Sequence, residues 1–248
     1  MTYCLSLHCR EGLVFLSDSR TTAGIDNVTL HPKMRIYERE GDRVLCILSS
    51  GNLSITQSVS AFIDRDMERA AGEAGGCCLM NQHNLYETAR YVGERIREVR
   101  RLDADALRQG GLDFNINLIV GGQIGSQPPE IYQVYAEGNA IHASRESPFL
   151  QIGELKYGKP ILDRGFTYDT PLHEAVKFGL LSLDSTAKSN LSVGTPFELF
   201  CYRAGDLRVS HRMAFPDDHP YLKDLRNRWQ DGLIQLVHDI PPLDCLVR

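Results

Sequence analysis

The sequence predicts an α+β chain built as a four-layer αββα sandwich, two stacked antiparallel sheets covered by helices on both outer sides. Two observations carry this. Strand-type alternation and helical periodicity follow one another along the chain in the order strands, two helices, strands, one helix, strands, one helix. Sheets met in that order bury one face against each other and the outer faces against helices. A third observation bounds the size: 248 residues can bury a sizeable core within one domain spanning 1–248. There is no internal repeat, linker or low-complexity segment, and the Pro/Gly stretches 121–129 and 148–160 read as loops within that domain.

Residues 2–9 alternate, with Tyr3, Leu5 and Leu7 on one face, and 13–20 form the return strand. Arg10-Glu11-Gly12 lies between them as a three-residue loop, with glycine at the left-handed last position. Residues 33–39 and 43–49 form a second hairpin around Glu40-Gly41-Asp42. A helix follows at 52–70, capped by Asn52 and running through Ile55, Val59 and Ile63. A second at 84–101 aligns Leu85, Ala89, Val92, Ile96 and Val99, and Gly75-Gly76 separates the two. Strands are expected at 114–121, 130–136 and 139–144, a helix at 171–184, and strands at 196–203 and 206–211. The last helix starts at Pro220, with Asp217 or Asp218 as cap, and carries Leu222, Leu225, Trp229, Leu233 and Leu236. Ordinary core packing is the simpler reading of Trp229, a subunit contact the alternative.

The formal net charge of −5 gives no reason to expect nucleic acid or an anionic membrane as partner. Arginines cluster at 90–108, but Glu94 and Glu98 alternate with them, as on a solvated helix face. No leader and no apolar run of membrane length is visible, so the mature chain is expected to start at or next to Met1. The seven cysteines are odd in number and form no C-x-x-C pair, which fits free thiols in a reducing cytoplasm. The adjacent Cys77-Cys78 pair has poor geometry for a disulfide. A Cys/His site is disfavoured, because His8 shares a face with Cys4 but lies at the far end of the strand. The spacing of His211, Asp217, Asp218 and His219 matches no compact metal motif, and Gly121-Gly122 lacks a nucleotide fingerprint, so neither metal nor cofactor is expected.

The chemistry concentrates at the chain start. A threonine hydroxyl needs a base, and at a terminus its own α-amine, which titrates at about 7.7–8.0, can serve. Thr2 opens the first strand, and its small side chain suits removal of Met1. The three-residue loop pairs Cys9 with Leu13, Cys4 with Asp18 and Thr2 with Arg20, so even-numbered residues of both strands share a face and Asp18 lies diagonal to Thr2. Lys33, after Pro32, enters the same corner. A carboxylate orients the ammonium, and the ammonium favours the deprotonated nucleophile. Each residue alone has a bland reading: a second-position threonine is common, Asp18 suits a strand edge, and Lys33 suits a surface. The combination is what points to acyl transfer.

Thr2, the Ser17-Asp18-Ser19-Arg20 run and Lys33 resemble the opening of proteasome β-type subunits and of the bacterial HslV peptidase. The segments 12–24, 49–53, 152–160 and 182–186 resemble most the bacterial Anbu, or ancestral β-subunit, group. The resemblance implies the N-terminal nucleophile (Ntn) hydrolase sandwich and a threonine peptidase. It implies Thr2 as nucleophile and base, Asp18 and Lys33 as its tuning pair, and Gly51 as the backbone N–H donor to the oxyanion, worth about 3 kcal/mol in related chemistry. It implies Asp184 as the helix-end aspartate near the amine. Proteasome subunits usually follow that aspartate with a serine three residues on; Ala187 stands there, flanked by Ser185 and Ser189, and Ser189 is the preferred support. Residues from about 205 are an extension outside the core proteasome pattern. The implied partners are a peptide or unfolded-protein substrate and copies of the same chain in a ring or open helical ring. An unfolding ATPase is a further implied partner, though no sequence feature speaks to it. Two alternatives stay open: an amidase for a restricted small amide, and a silent scaffold that keeps Met1.

Overall fold

A computed structural model describes residues 2–22, 28–72 and 76–243. The chain opens with β1 (Tyr3–Cys9) and β2 (Gly12–Asp18), then the short pair β3 (Arg20–Thr22) and β4 (Val28–Leu30), then β5 (Met34–Arg39) and β6 (Arg43–Gly51). Helices α1 (Leu53–Gly72) and α2 (Leu85–Gln109) precede β7 (Ile116–Ile124), β8 (Glu130–Val134), β9 (Ala140–His142) and β10 (Phe149–Gly153). Then come α3 (Lys159–Gly165), α4 (Leu172–Ser189), β11 (Phe197–Arg203), β12 (His211–Phe215) and α5 (Pro220–Asp239). One antiparallel sheet has the order β10-β1-β2-β11-β12, the other β5-β6-β7-β8-β9.

Three apolar layers explain the stacking. Cys4, Leu13, Phe15, Leu48, Ile119 and Phe200 meet between the sheets. Ile55, Val59, Leu85, Val92 and Ile96 of α1 and α2 close on the second sheet. Leu172, Leu180 and Leu183 of α4 close on Tyr3, Leu5, Leu7 and Leu16 of the first. Each fully buried aliphatic chain contributes about 1.5–3 kcal/mol, so these layers fix where the start of β1 can lie. Asn84 caps α2 by accepting from Glu87 N at 2.8 Å, while Glu87 reaches back to His83 N at 3.1 Å. The arginines of α2 pair along its own face, Arg97 with Glu94 at 2.5 Å and Arg95 with Glu98 at 2.9 Å.

Several expectations are corrected. The first hairpin turns on two residues, Arg10-Glu11: Cys9 pairs with Gly12 and Cys4 with Ser17. Gly12 is a strand residue, paired with Cys9 and Arg203, and it must be glycine because a Cβ there would lie 2.0 Å from the Tyr202 carbonyl oxygen of β11. The one-residue slip exchanges faces. Odd residues of β1 (Tyr3, Leu5, Leu7) therefore share a layer with even residues of β2 (Val14, Leu16). The stretch 148–160 holds β10 and the first residues of α3 as well as a loop. The strand expected at 206–211 is β12 at His211–Phe215, and α4 continues five residues past Asp184 to Ser189. The cap of α5 is His219, whose Nδ1 accepts from Tyr221 N at 3.2 Å; Asp217 binds Arg226 instead. The apolar stripe of α5 is buried only at Leu222; Trp229 is half-buried, and Leu233 and Leu236 are exposed. The segment from 205 thus supplies an edge strand and a helix that packs on α4. Cys4, Cys9, Cys46 and Cys78 are buried free thiols, Cys77 and Cys201 are free and more exposed, and Cys245 lies outside the described residues, as does Gly75. No described helix is long and apolar enough to cross a membrane.

Candidate active site

Thr2 stands immediately before β1, half-buried. The peptide unit that joins it to Tyr3 is held on both sides. Tyr3 N–H donates to Asp18 Oδ1 at 3.0 Å, and the Thr2 carbonyl accepts from Glu154 N–H at 2.8 Å. The second contact continues the β1–β10 ladder, in which Tyr3 pairs with Gly153. Gly153 has φ +90°, and a Cβ on it would fall 1.9 Å from the Thr2 carbonyl oxygen, so only glycine permits this approach.

Asp18, the last residue of β2, is wholly buried. Besides Tyr3 N–H it accepts Lys33 Nζ at 2.6 Å and Gly194 N–H at 3.4 Å. Burial pushes its carboxyl above the usual carboxylate range, and the Lys33 charge, the Lys33 hydrogen bond and the two backbone donors resist that push. Lys33, 6% exposed, also donates to the Arg20 carbonyl at 2.6 Å. A buried ammonium bound to a carboxylate and a carbonyl is fixed in place.

A small cleft is lined by Thr2, Lys33, Ser49, Ser50 and Gly51, with His31, Leu53 and Thr56 at its sides. Gly51 ends β6 with φ +113°, and a Cβ there would lie 2.4 Å from the Asn115 carbonyl oxygen. The structure therefore brings Thr2, Lys33 and Gly51 to one cleft, with Asp18 behind Lys33. Asp184 and Ser189 line a neighbouring cavity of about 740 Å³ that also touches Gly194 and Trp229. Asp184 is bound by Arg226 of α5, which also donates to Asp217 at 2.9 Å. Ser185 lines the same cavity.

Glu154, which the sequence reading did not single out, meets Thr2 through the backbone, and a polar network lies beyond it. Glu154 is 8% exposed; its Oε2 accepts from Asn190 Nδ2 at 3.1 Å and its Oε1 from Lys156 N–H at 3.3 Å. Asn190 Oδ1 receives Ser192 N–H at 2.9 Å, which orders the turn leading to Gly194 and so to Asp18. Tyr3 Oη lies 2.7 Å from Ser182 Oγ and is bound by Gln151; burial raises the phenol to about 12. The signal for Glu154 was the Gly153-Glu154 step within a family-like segment, but nothing local shows that it faces Thr2. Among the described residues no cluster of His, Cys, Asp and Glu is arranged to hold a metal.

Two antiparallel sheets between helix layers, with a threonine ahead of the first strand and a buried lysine–aspartate pair beside it, define the Ntn-type sandwich. Similar structures have been solved. The chain is 41% identical to a Gly-1 mutant of Anbu from Hyphomicrobium sp. strain MC1 (TM-score 0.90, 98% of this chain and 100% of that one). It is 39% identical to Anbu (ancestral beta-subunit) from Yersinia bercovieri (TM-score 0.89, 99% and 100%). It is also 39% identical to Anbu from Pseudomonas aeruginosa, solved as a helical assembly of the Anbu complex (TM-score 0.91, 99% and 100%). No family model and no curated protein matches the chain. The chain belongs to the Anbu, or ancestral β-subunit, family.

Proposed function

We propose that this chain is a threonine-type Ntn hydrolase that cleaves peptide bonds once removal of Met1 frees Thr2, and that it works as a self-assembling cytoplasmic subunit within one domain spanning 1–248. The observation that carries the reading is the cleft in which Thr2 meets Lys33, itself fixed 2.6 Å from buried Asp18. In the proposed reaction Thr2 Oγ attacks the substrate carbonyl carbon and its proton passes to the α-amine. Gly51 N–H steadies the negative oxygen. The amine then gives the proton to the departing nitrogen as the C–N bond breaks, leaving an ester on Thr2. Water adds to that ester, its proton passing through the same amine, and the acid leaves as the Thr2 hydroxyl is restored. Lys33 supplies positive charge next to Oγ throughout, and Asp18 holds it there.

Asp184 and Ser189 enter the proposal as supports from behind, through the cavity that reaches Gly194. Self-assembly is supported by the helical assembly of the Pseudomonas aeruginosa relative and by the exposed apolar side of α5, where Leu233, Ile234, Leu236 and Val237 are 43–70% exposed. The test is substrate profiling on a processed chain beside Thr2→Ala. Turnover in the first and none in the second, with equal assembly, is expected; turnover retained by Thr2→Ala overturns the proposal.

A further inference from the structure

The side chain of Glu154 is a buried carboxylate in want of a cation. It is 8% exposed, and its hydrogen-bond donors are neutral: Asn190 Nδ2 at 3.1 Å and the Lys156 backbone at 3.3 Å. Among the described residues it forms no ion pair with Lys, Arg or His. Buried charges in folded proteins are ordinarily paired, since desolvation is otherwise uncompensated. One step beyond the last ladder pair, Tyr3–Gly153, the Glu154 N–H to Thr2 carbonyl bond of 2.8 Å sets the Glu154 backbone across from Thr2. Opposed residues of an antiparallel pair lie about 4.5–5.5 Å apart. Removal of Met1 creates one new cation at that position, the Thr2 α-ammonium.

We propose that Glu154 is the counter-ion and positioning residue of the Thr2 α-amine, with Asn190 holding the carboxylate in place. The proposal rests on Thr2 being the free terminus. The charged and titratable groups around the amine divide by side. Lys33 and His31 line the cleft, Asp18 receives Tyr3 N–H from below, and Glu154 stands across the ladder. On the side of α4, Asp184 is already bound by Arg226, and Lys156 has an exposed side chain. Lys33 disfavours a protonated amine and Glu154 favours it. A neighbouring opposite charge moves a pKa by about 1–3 units. Glu154 thus keeps the amine basic enough to accept the Oγ proton despite the lysine beside it.

The experiment uses the full chain starting at Thr2, released from a cleavable fusion so that the terminus is free whatever the activity. Competitive acylation with labelled acetic anhydride across pH, read on the N-terminal peptide by mass spectrometry, gives the amine pKa. Glu154→Gln is expected to lower it by about one unit or more and to move the acid limb of kcat/KM to lower pH by the same amount. A change of a few tenths or less overturns the proposal, because a purely structural glutamate would not move the amine. If Glu154→Gln does not fold, Asn190→Ala serves instead: without the Nδ2 donor that holds it, the carboxylate should lose its grip on the amine and the amine pKa should fall, and an unchanged value overturns the proposal. A chain that shows the shift but never turns over any peptide keeps the counter-ion and overturns the hydrolase reading; turnover without the shift does the reverse.

Discussion

Replacing Lys33 with Met would keep the aliphatic stem and strip Asp18 of its ammonium. Asp18 is wholly buried and would retain the Tyr3 and Gly194 N–H donors at 3.0 and 3.4 Å. Breaking a buried pair by removing one partner costs about 3–5 kcal/mol, because the other charge is left uncompensated. For a chain of this size each kcal/mol lowers the thermal midpoint by roughly 2–4 °C, so a fall of roughly 6–20 °C is expected. The deficit should depend on pH. The Asp18 carboxyl is already raised by burial above 3.8, and losing the Lys33 attraction raises it further. A folded-state pKa above the unfolded one means that the folded chain binds the extra proton, so stability is regained as pH falls through the folded value and lost as pH rises through it. Urea unfolding at fixed protein concentration, at pH 8 and pH 5, should show Lys33→Met far below the parent at pH 8 and closer to it at pH 5. Adding Asp18→Asn should recover part of the loss, since it removes the orphaned charge. Turnover should fall by several orders of magnitude in both. A Lys33→Met chain within about 1 kcal/mol of the parent at pH 8, an ordinary surface-substitution effect, with no pH dependence, would refute the reasoning.

Gly153→Ala should displace the Thr2 carbonyl, since the Cβ would sit 1.9 Å from it at φ +90°; loss of turnover with a lowered unfolding midpoint is expected, and unchanged kinetics would contradict the clamp. His8 is pushed down to about 4 by burial and the nearby His142 and Arg145 charges. Its folded pKa lies below the unfolded 6.5, so its contribution is lost as pH falls from about 6.5 to about 4, and His8→Phe should flatten that part of the stability profile in urea titrations. Leu233→Glu with Val237→Glu should leave the monomer fold intact and lower the assembly mass by light scattering, because both side chains are exposed on α5.

The sandwich could be read from the sequence because its long elements repeat cleanly: Leu85, Ala89, Val92, Ile96 and Val99 are all buried on α2. Short elements were hidden. β10 is five residues ending in a left-handed glycine, and α3 is seven residues with Pro160 in its first turn, so both look like loop. The hairpin register was misread because Gly12 resembles a turn glycine, whereas the Tyr202 carbonyl above it, from a strand far along the chain, is what requires it. Asp18 ends β2 and Lys33 stands just before β5, fifteen residues on, so local reasoning could put both in one corner. Glu154 comes to Thr2 only through the β1–β10 pairing, and Asn190 comes to Glu154 only from the end of α4, contacts of long sequence separation that no local pattern encodes. Arg226 likewise reaches Asp184 from the C-terminal helix.

The most direct test of Thr2 as a terminal nucleophile is the intact mass of the protein purified from its native host, before and after exposure to a peptide boronate or an irreversible electrophilic peptide. A chain lighter by one methionine that gains a single irreversible adduct on Thr2, absent in Thr2→Ala, is the predicted result. A chain that retains Met1, or a processed chain that gains no adduct at Thr2, would contradict the account.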